Sequence, residues 1–207
     1  MRSCAAVLLL LAAAAPGTLR ADITVLDFEG FPDGTSLTTQ YPGITFSNAT
    51  VLSAGITLNE VELPPYSGTN VVFDDGGPMT ISFASPILSF GGYFTYYEPL
   101  TLQAFDAGNA PVASATSAFS INVGCDPGPI CLGDPGSGPN EFLAVNFPSG
   151  ISSVTITGDP AGTSFVLDDA TITTASVSVP EPSSIVLLLS VLGGVALAGL
   201  RKRHIHL

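Results

Sequence analysis

The sequence predicts an all-β fold, an antiparallel β-sandwich, for most of this 207-residue chain. Short runs of β-branched and aromatic residues recur, and several alternate apolar with polar positions, which is the period of a half-buried strand. The 22 glycines and 17 prolines supply turns between these runs. Residues 22–176 show no helical period, and many short strands joined by turns favour a sandwich.

Nine runs are predicted as strands: residues 23–28, 44–52, 70–73, 79–83, 88–97, 100–105, 142–147, 154–157 and 165–173. Alternation is clearest in the runs 79–83 and 100–105, which therefore predict strands with one buried face. The strongest turn sequences lie at residues 75–78, 106–109 and 158–160, where Asp, Asn, Gly and Pro cluster.

The first residues predict a secretory signal peptide over residues 1–21. Met1 and Arg2 give a positive start, and the apolar run 5–15 is too short to span a membrane. Cleavage is expected before Asp22. This leaves residues 22–176 as a single ectodomain that is long enough to bury a core.

The last residues, 177–207, predict a sorting segment outside the fold. An apolar run at 185–200 follows prolines that stop a helix from extending backwards, and a basic cluster at 201–203 follows it. As a helix this run spans about 24 Å, somewhat less than a hydrocarbon core of about 30 Å. The basic cluster is expected to stay cytoplasmic, so the ectodomain lies outside. A permanent single-pass anchor is the alternative.

The tail resembles the PEP-CTERM sorting domain of Gram-negative bacteria. The resemblance rests on Val-Pro-Glu-Pro-Ser at 179–183, the apolar segment and the terminal Arg-rich cluster. It implies recognition by an exosortase, cleavage near Pro180, Glu181 and Pro182, and transient anchoring in the inner membrane. The expected destination is the cell surface, the outer envelope or an exopolysaccharide matrix.

The basic residues all lie in the two terminal segments: Arg2, Arg20, Arg201, Lys202, Arg203, His204 and His206. All 17 Asp and Glu lie between Asp22 and Glu181, so the mature domain carries a formal charge near −17. Phosphate contacts normally need Lys or Arg, so we expect no nucleic-acid binding. Without His or Lys, a nucleophilic triad and a histidine zinc site are also excluded.

Two cysteines of the mature domain predict a disulfide. Cys125 and Cys131 flank a short Pro- and Gly-rich loop, whereas Cys4 belongs to the signal peptide. An even pair in an exported protein is most simply a disulfide bond.

Acidic residues at the two ends of the domain form the main candidate site. Asp27 and Glu29 share one face of the first predicted strand, and Asp168 and Asp169 follow three apolar residues near the end. A carboxylate at such a buried position needs hydrogen bonds, protonation or a cation, and the domain has no basic side chain. A metal ion would supply the charge. In the alternative, the two aspartates accept hydrogen bonds from backbone amides of a turn and the other two acids are solvated.

The Asp-Phe-Glu strand and the apolar-Asp-Asp strand also resemble those of jelly-roll modules, including carbohydrate-binding families. That resemblance implies neighbouring first and last strands and a structural calcium ion. Glu29 and Asp168 would be ligands, with Asp27 or Asp169 completing the shell. Tyr93, Tyr96 and Tyr97 are candidates for an aromatic surface on which a sugar ring could stack.

Three functions remain open at this point. The first is a non-catalytic surface or matrix protein that associates with exopolysaccharide, and we expect no enzyme activity from it. The second is a calcium-dependent carbohydrate-binding module. The third is a glycoside hydrolase, because that chemistry needs only two carboxyl groups.

Overall fold

The structure, a computed structural model, describes residues 19–125 and 132–177. These residues form nine strands: β1 (Leu19–Leu26), β2 (Ile44–Ser47), β3 (Ala49–Ser53), β4 (Asn70–Asp74), β5 (Met79–Tyr96), β6 (Thr101–Phe105), β7 (Pro111–Thr116), β8 (Glu141–Thr157) and β9 (Phe165–Val177). Residues Ala21–Ala175 form one compact unit. The all-β prediction is confirmed, and within the described residues no helix is long and apolar enough to cross a membrane.

The strands are hydrogen-bonded into one continuous sheet in the order β3-β4-β9-β5-β8-β6-β7, with β1 on β9 and β2 on β5. The pairings among β2 to β9 are antiparallel. The first and last strands are therefore neighbours, which brings the acidic sequences at the two ends of the domain close to each other.

Two long strands change their neighbours partway along. The first half of β5 pairs with β2 and the end of β8, whereas its second half pairs with β9 and the start of β8. The β5–β8 register shifts twice between Ser82 and Ser89. Gly150 faces this irregularity with φ +114°, and a Cβ there would lie 2.9 Å from the Cβ of Pro86. Residues 79–83 and 88–97, which were predicted as two strands, thus belong to one bent strand, β5. In the same way, residues 142–147 and 154–157 both belong to the bent strand β8.

The main core takes side chains from both halves of the bent strands. Met79 and Ile81 belong to the first half of β5 and Phe90 and Phe94 to the second, and all four lie in one buried cluster. The folded sheet therefore encloses its own core, as expected for a sandwich-like arrangement.

A smaller cluster covers the opposite face of β4 and β9. Val71 and Val166 belong to it, whereas their chain neighbours Val72 and Leu167 point into the main core. This is the two-residue period of a strand. Because Leu63 and other residues from the segments beside these strands cover the second face, both strands are buried on both sides.

The structure differs from the prediction in further places. β1 ends at Leu26 and Phe28 has φ 60°, so Asp27 and Glu29 lie beyond the first strand and do not share one of its faces. Asn48, with φ 55°, divides the predicted run 44–52 into β2 and β3. β7 was not predicted, because its small Ala, Ser and Thr side chains give no apolar run and none is fully buried. β1 begins at Leu19, before the predicted cleavage position, while residues 1–18 and the predicted sorting segment 178–207 lie outside the described residues.

Candidate functional site

A one-residue bulge in β9 places two consecutive aspartates on the same face of the sheet. The β5–β9 register shifts between Gly91 and Tyr93, and Asp169 has φ 45°. Leu167 and Ala170 both point into the main core. The two residues between them, Asp168 and Asp169, therefore both lie on the outer face, as an extra residue in one strand allows.

Asp168 holds the segment before β4 through backbone hydrogen bonds. Its Oδ2 accepts the N–H of Tyr66 at 2.8 Å and that of Ser67 at 2.9 Å, and its Oδ1 accepts the N–H of Asp169 at 2.7 Å. The Ser67 hydroxyl donates to Asp169 Oδ1 at 3.0 Å. The Asp168 side chain is only 1% exposed, so these donors replace the water that the carboxylate has lost.

Glu29 holds the other end of the same segment. Its Oε1 accepts the N–H groups of Thr69 and Asn70, each at 2.8 Å, and its Oε2 accepts the Thr69 hydroxyl at 3.0 Å. Gly68 has φ +55°, and a Cβ at this position would collide with the Glu29 carboxylate. Residues 66–70, here called the clamped segment, are thus fixed between acids from opposite ends of the domain.

The two clamping acids differ in the direction of their pKa shifts. Burial raises the pKa of Asp168 to about 6, against the opposing effect of its three N–H donors. Burial also acts on Glu29, but the hydrogen bonds from Asn70 and Thr69 outweigh it and hold the pKa of Glu29 below its ordinary value. The Asp168 carboxyl is therefore the more costly of the two to ionise.

The four predicted metal ligands make other contacts in the structure. Asp168 and Glu29 already accept three hydrogen bonds each, so both carboxylates have partners without a cation. Asp27 is exposed and accepts the N–H of Glu29 at 3.3 Å. In the described ranges, no group of three or more His, Cys, Asp or Glu is arranged to hold a metal. Calcium binding stays a prediction, and the contacts favour the backbone-amide alternative.

The three predicted tyrosines do not form one surface. Tyr96 is fully buried, and its hydroxyl donates to Glu141. Tyr97 packs against the smaller cluster, and its hydroxyl donates to Glu62 Oε2 at 2.5 Å. Burial, reinforced by the carboxylate partner, raises the pKa of both phenols. Tyr93 and Tyr97 are both partly exposed, but Tyr97 is engaged with the smaller cluster and with Glu62.

Tyr93 instead belongs to an exposed aromatic patch that consists of Tyr66, Tyr93 and Phe142. The rings of Tyr66 and Tyr93 stack with centroids 3.4 Å apart and planes 7° apart. Phe142 lies opposite Tyr93 on β8, with a centroid distance of 5.1 Å. Tyr66 is 49% and Phe142 50% exposed, so the patch presents contiguous aromatic surface to solvent.

Two local features assemble this patch. Gly91 leaves room for the Phe142 ring, since a Cβ at Gly91 would lie 2.8 Å from Phe142 Cζ. The backbone N–H of Tyr66 is fixed by Asp168, the cross-strand neighbour of Tyr93, so the Tyr66 ring is held above Tyr93. The partnership of Tyr93 with Tyr66 and Phe142 could not be predicted from the sequence, because it depends on strand register and on the clamped segment.

A second buried carboxylate was also missed. Asp74 is fully buried, and its Oδ1 accepts the N–H groups of Ser164 and Phe165 at 2.8 and 2.9 Å. The Ser164 hydroxyl donates to its Oδ2 at 2.8 Å. Burial raises the pKa of Asp74 despite these donors. Asp74 follows an apolar run just as Asp168 does, so the same sequence signal could have found it.

The predicted disulfide falls partly outside the described residues. Cys125 is disulfide-bonded, while Cys131 lies in the undescribed range 126–131. The pairing of these two cysteines stays a prediction.

Asp168→Asn should weaken the fold and release the clamped segment. Whichever way the new amide is turned, its NH2 group faces a backbone N–H donor. We expect a loss of about 2–4 kcal/mol in the free energy of unfolding, measured by urea denaturation of the full-length protein. Asp22→Asn, at an exposed position, should change it by less than about 0.5 kcal/mol. Equal effects of the two substitutions would contradict a clamping role.

The pKa of Asp168 also predicts a pH dependence. The folded-state pKa of Asp168 is about 6, against 3.8 for the free group, so the folded state holds the proton more tightly than the unfolded state. The contribution of this proton to the free energy of unfolding is fully present below about pH 4 and is lost as the pH rises through 6. The difference in unfolding free energy between wild type and Asp168→Asn should therefore fall over this range and level off above it. Urea midpoints at a series of pH values measure it, and a difference that grows with pH would show that the N–H donors outweigh burial.

Comparisons with known proteins leave the family open. No family model matches the chain, and no curated protein matches it. Among solved structures, the K2 cleaved adhesin domain of Lys-gingipain is similar with a TM-score of 0.48 and 16% identity, covering 74% of this chain and 100% of that one. A DUF4465 family protein from Bacteroides caccae has a TM-score of 0.41 and 11% identity, covering 79% of this chain and 90% of that one. At these levels of similarity we draw no functional conclusion from either protein.

Proposed function

We propose that this is a non-catalytic exported protein of the cell surface or extracellular matrix of a Gram-negative bacterium. Before processing, the predicted C-terminal apolar segment anchors it in the inner membrane, and an exosortase-type enzyme then acts at residues 180–182. The mature domain is a jelly-roll-like sandwich that associates with exopolysaccharide. The localisation rests on the signal peptide-like start and the three-part tail of the sequence.

The hydrogen bonds that the buried carboxylates accept are the observation that supports a non-catalytic role. Asp74 and Asp168 each accept three hydrogen bonds from fixed donors of their own domain. Among the described residues, every buried side-chain nitrogen or oxygen has a hydrogen-bond partner. A catalytic carboxyl needs an oxygen that is available to substrate, whereas these oxygens hold the fold together.

A carbohydrate-binding module is the second candidate, and the exposed patch of Tyr66, Tyr93 and Phe142 favours it. Aromatic faces of this kind stack on the apolar face of a sugar ring. The calcium dependence of such a module receives no support from the contacts of Glu29 and Asp168.

Processing of the tail tests the proposed export route. In a Gram-negative host with an exosortase-type enzyme, we expect the wild-type product to lose the residues that follow the Pro-Glu-Pro motif, as measured by intact mass. Replacing Pro180 and Glu181 with Ala should leave the tail in place, while Ser178→Ala, outside the motif, should be processed normally. A wild-type protein that keeps its tail in the membrane would instead support the permanent single-pass anchor.

Chelation tests the calcium alternative. We expect EDTA to leave the melting temperature of the protein unchanged, because backbone N–H groups already occupy the acceptor oxygens of Glu29 and Asp168. Bound calcium would stabilise the fold by mass action, so its removal would lower the melting temperature. A decrease that added calcium reverses would contradict this expectation and support the calcium-dependent module.

A further inference from the structure

We propose that the aromatic patch of Tyr66, Tyr93 and Phe142, with Asp169 beside it, binds a polysaccharide of amino sugars through a protonated amine. This inference rests on the proposed association with exopolysaccharide and names its chemical class. It concerns a site that the sequence did not indicate, because two of the three aromatic residues lie outside the predicted tyrosine cluster.

The patch is a preformed surface. Tyr66 and Tyr93 stack in parallel, and Phe142 lies against Tyr93 at an interplanar angle of 59°. The Tyr66 backbone is fixed by the buried carboxylate of Asp168, and the Phe142 ring occupies the space above Gly91. Rings that are already positioned lose little conformational freedom when a ligand binds. Contacts with these rings therefore contribute to the binding free energy with little entropic cost.

The charge around the patch selects a cation. Asp169 accepts the hydroxyl of Ser67, the chain neighbour of Tyr66, at 3.0 Å, and it directly follows Asp168, the cross-strand neighbour of Tyr93. Residues 21–200 contain no Lys, Arg or His, so no basic side chain of that region offsets this charge. The faces of aromatic rings attract cations, and the carboxylate adds to this attraction. A polyanionic polysaccharide would be repelled by the same field.

The surrounding hydrogen bonds favour a sugar over a peptide. At Tyr93, β5 is paired on both sides, with Phe142 of β8 and with Asp168 of β9. The backbone there offers no free edge to which a peptide strand could add. Recognition must use side chains, and the site provides the hydroxyls of Tyr66 and Tyr93 with the carboxylate of Asp169. This set suits a ligand with several hydroxyl groups, an apolar ring face and one cationic amine.

Calorimetric titration of the full-length protein with three oligosaccharides tests the proposal. The probes are a glucosamine hexamer with protonated amines, its fully N-acetylated counterpart, which is neutral, and an oligogalacturonate, which is anionic. We expect the glucosamine hexamer to bind at least about tenfold more tightly than the N-acetylated one. The N-acetylated sugar has no positive charge, so it lacks both the cation–aromatic contact and the ion pair with Asp169. The oligogalacturonate should not bind.

Substitutions locate the binding. Tyr66→Ala keeps the backbone N–H that Asp168 accepts, and it should weaken binding of the glucosamine hexamer about tenfold. Tyr66→Phe, which keeps the ring, should retain affinity within about threefold. Asp169→Asn should weaken binding and reduce its salt dependence, while Asp22→Asn, with the same change in charge, should have less than about a twofold effect. Thermal melts of each variant show whether the fold is intact.

Several outcomes would overturn the proposal. If the N-acetylated hexamer binds as tightly as the glucosamine hexamer, the site does not recognise the charge of the amine. If Asp22→Asn and Asp169→Asn weaken binding equally, the attraction is spread over the whole acidic surface. An oligolysine that binds as tightly, with the same sensitivity to Tyr66→Ala, would assign the patch to a cationic peptide. Failure of all probes would remove the patch as a binding site without affecting the processing result, so the proposed export would stand separately.

Discussion

Backbone N–H groups are the main partners of the buried acids in this domain, and the fold is arranged around that constraint. Without Lys, Arg or His in residues 21–200, a buried carboxylate there has no basic side chain from that region as a partner. Asp74 and Asp168 meet this constraint by accepting amides from segments far away in sequence. Each acid therefore closes a loop and, as hydrogen bonds to charged groups do, ties distant parts of the chain together.

The clamped segment links this constraint to the molecular surface. The segment whose backbone N–H groups donate to Asp168 and Glu29 also positions the Tyr66 ring so that it stacks on Tyr93. The hydrogen bonds that satisfy the two acids therefore also determine the shape of the exposed aromatic patch. The bulge at Asp169 completes it, because it turns an otherwise inward-facing position towards the outside.

Much of the secondary structure could be predicted from the sequence, because apolar alternation and turn residues act locally. The bends could not, since β5 continues across Pro86 beside Gly150, a residue distant in sequence that leaves space for the proline ring. The burial of Asp168 could be predicted from the apolar residues before it, but the identity of its partners could not. Two of its three donors, the N–H groups of Tyr66 and Ser67, lie about a hundred residues earlier in the chain, and only strand order brings them close. The patch was missed for the same reason.

The charge distribution also determines how the domain responds to its surroundings. In most proteins, added salt weakens attractive ion pairs as well as repulsion. Between residues 21 and 200 there is no cationic side chain to lose, so counterions act there chiefly on the mutual repulsion of acids. Added salt should therefore favour the compact state of this domain.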